Sequence, residues 1–153
     1  MDRRKGTTIM SDRPVKAPEM NWVNPYLMVS DPKNALKFYE DAFGFKTNMT
    51  IPDKDGGIMH AEMQYQDCII MLGSETKEWP SARTLSGSPV SLYVYVEGVD
   101  DFYQRAKTAG AEVKSEPTTQ FYGDRTFTAQ CPEGHVWTFA QKVAEFDPSK
   151  MPK

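Results

Sequence analysis

The sequence predicts an α+β protein built from two βαβββ modules, whose mixed, curved sheets enclose a cavity and whose helices cover the outer faces. Two observations lead to this prediction. A strand, a helix and three further strands occur twice along the chain, and the second set follows the first by 67 positions. Each set has a single helix, which can cover only one face of a four-stranded sheet. The other face must therefore meet the second module, a partner chain or a ligand.

The repeat defines one folded domain between two tails in the 153-residue chain. Residues 1–20 are polar and basic and contain two prolines, so they predict a flexible N-terminal tail. The folded domain is predicted at 21–143. It consists of a first module at 21–73, a linker at 74–89 and a second module at 90–143, and a C-terminal tail follows at 144–153.

The first module starts with a short strand at 24–29. Ser30 and Asp31 are residues that cap helices, and Pro32 suits the first position of a helix. Apolar residues then recur at helical spacing until Gly44, which ends the helix. Three strands follow, the last two joined by a two-residue turn, and they are predicted at 46–51, 58–65 and 68–72.

The second module repeats this order. Its first strand, at 91–96, precedes a helical pattern that contains Phe102 and Ala106 and ends at Gly110. The last two strands surround a four-residue connection, 131–134. The three strands after the helix are predicted at 111–118, 125–130 and 135–140.

Composition narrows the possible functions. The net charge of −3 provides no basic surface for a phosphate backbone, so we expect no nucleic-acid partner. No apolar run approaches the roughly 20 residues of a membrane-spanning helix, so we expect no membrane partner. Cys68 and Cys131 are the only cysteines, and no secretory signal precedes them. Two reduced thiols in a protein without such a signal predict a cytoplasmic location.

Several segments are distinctive: Ser30-Asp31-Pro32, followed by Phe38-Tyr39 and Phe43-Gly44-Phe45 in the first helical region; Met59-His60-Ala61-Glu62-Met63; Tyr122-Gly123-Asp124-Arg125; and Pro132-Glu133-Gly134-His135-Val136-Trp137. Together with the duplicated unit, they resemble the vicinal oxygen chelate superfamily and, within it, the PhnB-like branch. This superfamily includes glyoxalase I, bleomycin-resistance proteins, fosfomycin-resistance enzymes and extradiol dioxygenases. The resemblance covers residues 22–141.

The resemblance implies four metal-ligand positions on the cavity face, two in each module. They map onto Asn24, Met71, Ser91 and Thr138 of this sequence. None of the four is a histidine or a carboxylate, whereas zinc, iron and nickel prefer imidazole, carboxylate or thiolate donors. We therefore expect no metal cofactor, with a divalent metal held by His60 and Glu62 as the alternative.

Side chains on a strand alternate between the two faces of its sheet, and this alternation predicts which residues line the cavity. Aromatic rings would stack on a planar ligand, and the methionines would adapt to its shape. Arg125, oriented by Asp124, would clamp a carboxylate or phosphate; the alternative is a turn closed by an Asp–Arg bond. The predicted ligand-binding residues are Tyr26, Met28, Met71, Tyr93, Tyr95, Tyr122, Asp124, Arg125 and Phe127.

His60 and Glu62 are the candidate catalytic residues. They lie two positions apart on one strand and so face the same space, where Glu62 could orient the imidazole as a general base. The alternative is a structural role in which Glu62 pairs with Arg125 or an internal water.

The leading functional prediction is a metal-free protein that binds and sequesters a small molecule, similar to the bleomycin-resistance type. The expected ligand is planar and aromatic or anionic, and the expected assembly is a homodimer. One alternative is a lyase, isomerase or dioxygenase that uses His60 and Glu62. Another is a degenerate family member that serves as an interaction module.

Overall fold

The computed structural model describes residues 14–152, which form two helices, eight strands and two short 3₁₀ turns. Residues 1–13, most of the predicted N-terminal tail, and residue 153 lie outside the described part. In chain order the main elements are β1 (Tyr26–Val29), α1 (Pro32–Phe43), β2 (Lys46–Pro52), β3 (Ile58–Tyr65), β4 (Cys68–Ser74), β5 (Ser91–Tyr95), α2 (Val99–Thr108), β6 (Glu112–Thr119), β7 (Asp124–Gln130) and β8 (Val136–Lys142).

The strands form two separate four-stranded sheets with the same topology. Their orders are β1-β4-β3-β2 and β5-β8-β7-β6. In each sheet the first strand of the module pairs in parallel with the last, and the other pairs are antiparallel. The predicted α+β class and the two βαβββ modules are confirmed. The sheets do not close into a barrel, and β1 and β5 each keep one edge without a neighbouring strand among residues 14–152.

The first helix begins and ends where the sequence predicts. Asp31 is the N-cap residue, and its carboxylate accepts a hydrogen bond of 3.1 Å from the Asn34 amide. Pro32 follows as the first helical residue. Gly44 adopts a φ of 66°, a left-handed conformation that glycine reaches without strain, and this turn stops the helix.

The second module holds both ends of α1. At the N-terminus, the Glu133 carboxylate accepts hydrogen bonds from the backbone amides of Ser30, at 2.8 Å, and Asp31, at 3.1 Å. At the C-terminus, the Arg105 guanidinium donates to the carbonyl oxygens of Asp41 and Glu40, both at 2.7 Å. An anion therefore sits at the positive end of the helix dipole and a cation at the negative end, and each stabilises the helix.

A single hydrophobic core joins the two modules. The helix-facing sides of both sheets contribute to it, and its largest fully buried residues include Tyr39, Phe43, Phe127, Trp137 and Phe139. The Trp137 ring lies 5.4 Å from Tyr39 and 5.5 Å from Phe43, measured between ring centroids. Trp137 thus packs against the helix layer, as strand alternation predicts. The opposite face of each sheet, called the open face below, points away from this core.

The register of β7 differs from the prediction by one residue. Gln130 pairs with Val136, so the connection to β8 has five residues, and the Cys131 amide closes it by donating to the His135 carbonyl at 3.0 Å. A shift of one residue moves every side chain of a strand to the other face. The placement of Phe127 and Arg125 on the open face was therefore wrong. Phe127 is fully buried in the core.

The segment predicted as a C-terminal tail lies against the loop before β7. The amides of Val143 and Ala144 both donate to the Gly123 carbonyl, at 2.9 and 3.0 Å, and the Asp147 amide donates to the Phe121 carbonyl at 2.8 Å. The segment therefore helps to fix the loop that carries Tyr122.

None of the helices between residues 14 and 152 has the length and apolar character needed to cross a bilayer.

Candidate functional site

The open face of the first sheet carries a chain of three polar side chains. On β3, Ala61 and Met63 are buried under α1, so His60 and Glu62 point the other way. The Tyr26 hydroxyl lies 2.9 Å from His60 Nδ1. On the other side of the ring, His60 Nε2 lies 3.7 Å from Glu62 Oε1. The two predicted catalytic residues and one predicted ligand-binding residue therefore share one cluster.

A glycine allows Tyr26 to lie flat on this sheet. Tyr26 is the register partner of Met71, and its ring extends over Gly73 on β4. A Cβ atom at Gly73 would be only 2.7 Å from the nearest ring carbon of Tyr26. Any side chain at this position would push the ring away, so the glycine fixes the orientation that brings Tyr26 to His60.

The open face of the second sheet carries a different arrangement, which we call the tyrosine cluster: Tyr93, Tyr95 and Asp124. Both tyrosine hydroxyls donate to the same carboxylate oxygen of Asp124, Oδ2, at 2.8 Å each. Asp124 is only 4% exposed, whereas Tyr93 and Tyr95 are 47% and 60% exposed. The hydroxyl ends are thus directed at a buried carboxylate while the rings remain open to solvent.

This arrangement holds both tyrosines in the protonated form. The pKa of Tyr93 is raised well above its usual value, first by burial of the hydroxyl and then by the hydrogen bond to Asp124, with a further contribution from Tyr122. The pKa of Tyr95 is also raised, chiefly by its hydrogen bond to Asp124. Neither phenol is therefore suited to act as a base near neutral pH, and both act as hydrogen-bond donors.

Two threonines of β7 also occupy the open face, where the sequence predicted Phe127. Thr126 and Thr128 lie opposite Ala140 and Thr138 of β8, and the Thr128 and Thr138 hydroxyls are 3.0 Å apart. If the connection between β7 and β8 is given five residues instead of four, strand alternation places these two threonines on the open face. The length of this connection was the only feature of the sequence that could have identified them.

Arg125 does not form the predicted anion clamp. Its Nε and one terminal nitrogen donate to the two carboxylate oxygens of Asp100, at 2.9 and 2.7 Å. Asp100 lies in the first turn of α2, on the helix side of the sheet, and its pKa is lowered chiefly by this hydrogen bonding. Asp124 binds the two tyrosines instead of closing an Asp–Arg turn, and Glu62 pairs with His60 rather than Arg125.

An apolar groove of about 440 Å³ runs along the free edge of β1. It lies between β1, the linker and the start of β5, and we call it the apolar groove. Tyr26 and Met28 form one wall, and Leu85 of the linker and Val90, just after it, form another. A neighbouring depression of about 370 Å³ adds Trp79, which is largely exposed.

The residues at the expected metal-ligand positions do not fit a divalent metal. Both polar groups of the Asn24 side chain bond to the Asn21 backbone, at 3.0 and 2.9 Å. The Thr138 hydroxyl pairs with Thr128, and Met71 and Ser91 offer a thioether and a hydroxyl. Within residues 14–152, no three histidine, cysteine, aspartate or glutamate side chains come together to hold a metal ion. The donor set of this face is suited to hydrogen bonding and stacking.

Comparison with known proteins gives a consistent result. Residues 19–139 match the Glyoxalase/Bleomycin resistance protein/Dioxygenase superfamily. The uncharacterized protein Rv0887c of Mycobacterium tuberculosis is 32% identical over 128 residues, which are 80% of this chain and 75% of that protein.

Among solved structures, TioX from Micromonospora sp. ML1 superposes with a TM-score of 0.66 at 24% identity, covering 79% of this chain and 98% of TioX. A mutant of the fosfomycin resistance protein FosX from Listeria monocytogenes, complexed with Mn(II) and 1S,2S-dihydroxypropylphosphonic acid, superposes with a TM-score of 0.63 at 15% identity. That match covers 78% of this chain and 88% of FosX. At these identities the two structures share the fold.

Proposed function

We propose a binding function for this chain, from the premise that it belongs to the Glyoxalase/Bleomycin resistance protein/Dioxygenase superfamily. In this proposal the protein binds and sequesters an organic small molecule on the open faces of its sheets, without a metal. The observation that carries the proposal is the exposure of three tyrosines, Tyr26, Tyr93 and Tyr95, at 48%, 47% and 60%. Each lies within or at the start of a strand, where a hydrogen bond that involves its hydroxyl holds the ring in place.

Rigid, exposed rings are suited to ligand binding because little side-chain entropy is lost when a flat molecule stacks on them. The apolar groove adds a concave surface next to Tyr26, of a size typical of small-molecule sites. The two faces offer polar groups for orientation, His60 on one and Asp124 on the other. This combination of apolar walls and few polar groups is characteristic of sites that bind organic ligands.

We also propose that the chain works as a homodimer. Both open faces expose aromatic rings, and Trp79 of the linker and Val90, just after it, are exposed beside them. Such clustering of exposed apolar groups is typical of an interaction surface. A second copy that placed its tyrosine cluster opposite His60 would enclose a ligand between two sheets. Light scattering after gel filtration should give twice the chain mass, and a monomer at micromolar concentration would refute this part.

The free thiols Cys68 and Cys131 support a cytoplasmic location.

A second candidate function is an enzyme of the lyase, isomerase or dioxygenase class. The chain of contacts from Tyr26 through His60 to Glu62 favours it, because an imidazole held between a phenol and a carboxylate can transfer protons. Metal analysis of protein purified without chelator separates this candidate from metal-free binding. One tightly held metal per chain that is lost in His60→Ala would favour the enzyme.

The binding proposal is tested by a thermal-shift screen of planar aromatic compounds, because a ligand that binds the folded state raises apparent stability. Hits should lose affinity in Tyr26→Ala and Met28→Ala. Met59→Ala is the matched control, since Met59 is another β-strand methionine, is exposed, and lines neither the groove nor the depression. A broad library with no hits would refute the proposal and favour an interaction module.

A further inference from the structure

The tyrosine cluster on the second sheet contains a buried negative charge that the protein compensates only in part. Asp124 is almost fully buried, and a carboxylate in such a place normally has a cation or several donors as partners. The two hydrogen bonds from Tyr93 and Tyr95 are neutral, and both are made to Oδ2. The second oxygen, Oδ1, receives neither of them and can accept a bond from a further donor.

The nearby cations of the protein are engaged elsewhere. Arg125, the next residue along the chain, points to the opposite face and binds Asp100. Lys142 is the cross-strand partner of Asp124, but its ammonium group donates to the Tyr122 carbonyl at 2.9 Å. Neither forms an ion pair with Asp124 in the part of the chain that the structure describes.

The two tyrosine rings lie side by side next to the carboxylate, with their hydroxyl ends directed at it. Their centroids are 5.6 Å apart and their planes meet at 67°, so one ring presents a face where the other presents an edge. Aromatic faces attract cations, most strongly where water is partly excluded. Half-exposed rings beside a buried carboxylate therefore form an electron-rich surface on the open face.

From these observations we propose that the tyrosine cluster binds the protonated amine of an organic ammonium ligand, with an N–H group donating to Asp124 and the rings of Tyr93 and Tyr95 packed around the cation. The proposal rests on the proposed binding function and assigns the class of ligand. It replaces the carboxylate or phosphate ligand expected from Arg125 with a ligand of opposite charge. An ammonium suits the site better than a metal ion because the cluster offers one carboxylate and two phenol donors.

Three ligands with one ring system and different charges test the proposal: naphthalen-2-ylmethylammonium, naphthalen-2-ylmethanol and naphthalene-2-carboxylate. Isothermal titration calorimetry at neutral pH gives their affinities for the full-length protein. We expect the ammonium to bind about 10-fold or more tightly than the alcohol, the size of effect expected from a hydrogen bond to a charged partner. The carboxylate should bind more weakly than the alcohol. Equal affinities for all three, or no binding by any of them, would refute the ammonium assignment; the binding function itself is refuted only when the broad thermal-shift library gives no hits.

Variants identify the groups responsible. Asp124→Asn should abolish the preference for the ammonium, whereas Asp55→Asn, which removes one negative charge from an exposed turn, should keep it. Because Asp124 also positions two tyrosines, a second pair of variants at Tyr95 tests the contribution of the ring separately from that of its hydroxyl. Tyr95→Phe keeps the ring and should keep the preference, and Tyr95→Ala should reduce it. A preference that survives Asp124→Asn in folded protein would overturn the proposal, as would displacement of the ammonium by one equivalent of Mn²⁺.

Discussion

Glu133 provides the sharpest test of how the second module supports the first. Its carboxylate, 5% exposed, accepts from the Ser30 and Asp31 amides and from the Ser30 hydroxyl at 3.1 Å. Glu133→Ala would leave these partly buried donors without an acceptor and remove an anion from the helix N-terminus. A buried, unpaired donor costs about 1–3 kcal/mol, and the dipole contribution is about 0.3–1 kcal/mol. Allowing for coupling between the bonds, we expect the free energy of unfolding to fall by about 3 kcal/mol.

Urea denaturation followed by circular dichroism measures this change. Glu133→Gln keeps one acceptor oxygen and should cost about 1–2 kcal/mol, because the amide group faces donors and carries no charge. Glu78→Ala, an exposed glutamate in the linker, is the control and should change stability by less than about 0.5 kcal/mol. A loss below about 1 kcal/mol for Glu133→Ala would refute the view that this carboxylate anchors α1.

Three further predictions concern the faces of the sheets. Phe127→Ala should lower the free energy of unfolding by about 3–5 kcal/mol, measured in urea, yet leave ligand affinity unchanged at temperatures where the variant is folded; a selective loss of binding would contradict its place in the core. Gly73→Ala should displace the Tyr26 ring and break its contact with the imidazole, seen as a shift of the histidine ¹⁵N resonances, and unchanged resonances would contradict the predicted clash. Because folding raises the pKa of Tyr93, its protonated form is favoured in the folded state, and the free energy of unfolding should fall as pH rises past about 10, the ordinary tyrosine value. In an ultraviolet titration, Tyr93→Phe should leave the phenolate absorbance of folded protein unchanged up to about pH 11, and a loss equal to one tyrosine would contradict the assignment.

The sequence was sufficient where a local signal determined the geometry. The turn between β3 and β4 has two residues, and Gln66 takes the left-handed conformation, with a φ of 53°. Such a turn allows one register, so alternation correctly placed His60 and Glu62 together on the open face.

The sequence was insufficient where the geometry depended on loop length or distant contacts. The connection between β7 and β8 closes through the Cys131 amide and the His135 carbonyl, and a four-residue connection was equally compatible with the sequence pattern. Because the connection is one residue longer than predicted, Asp124 and not Arg125 lies on the open face. The charge expected at the site therefore changes from positive to negative. The bonds from Glu133 and Arg105 to α1 span 103 and 64 positions, and no local pattern predicts bonds across such separations.

The C-terminal segment has a practical consequence for any work on this protein. Ala144 packs so closely on Gly123 that the glycine has no room for a side chain, and Phe146 contacts Phe121, with ring centroids 6.0 Å apart. Through these contacts residues 144–147 support the backbone immediately before Asp124. A purification tag or fusion partner attached at the C-terminus would disturb these contacts. Recombinant protein for binding assays should therefore carry its tag at the other terminus or have it removed.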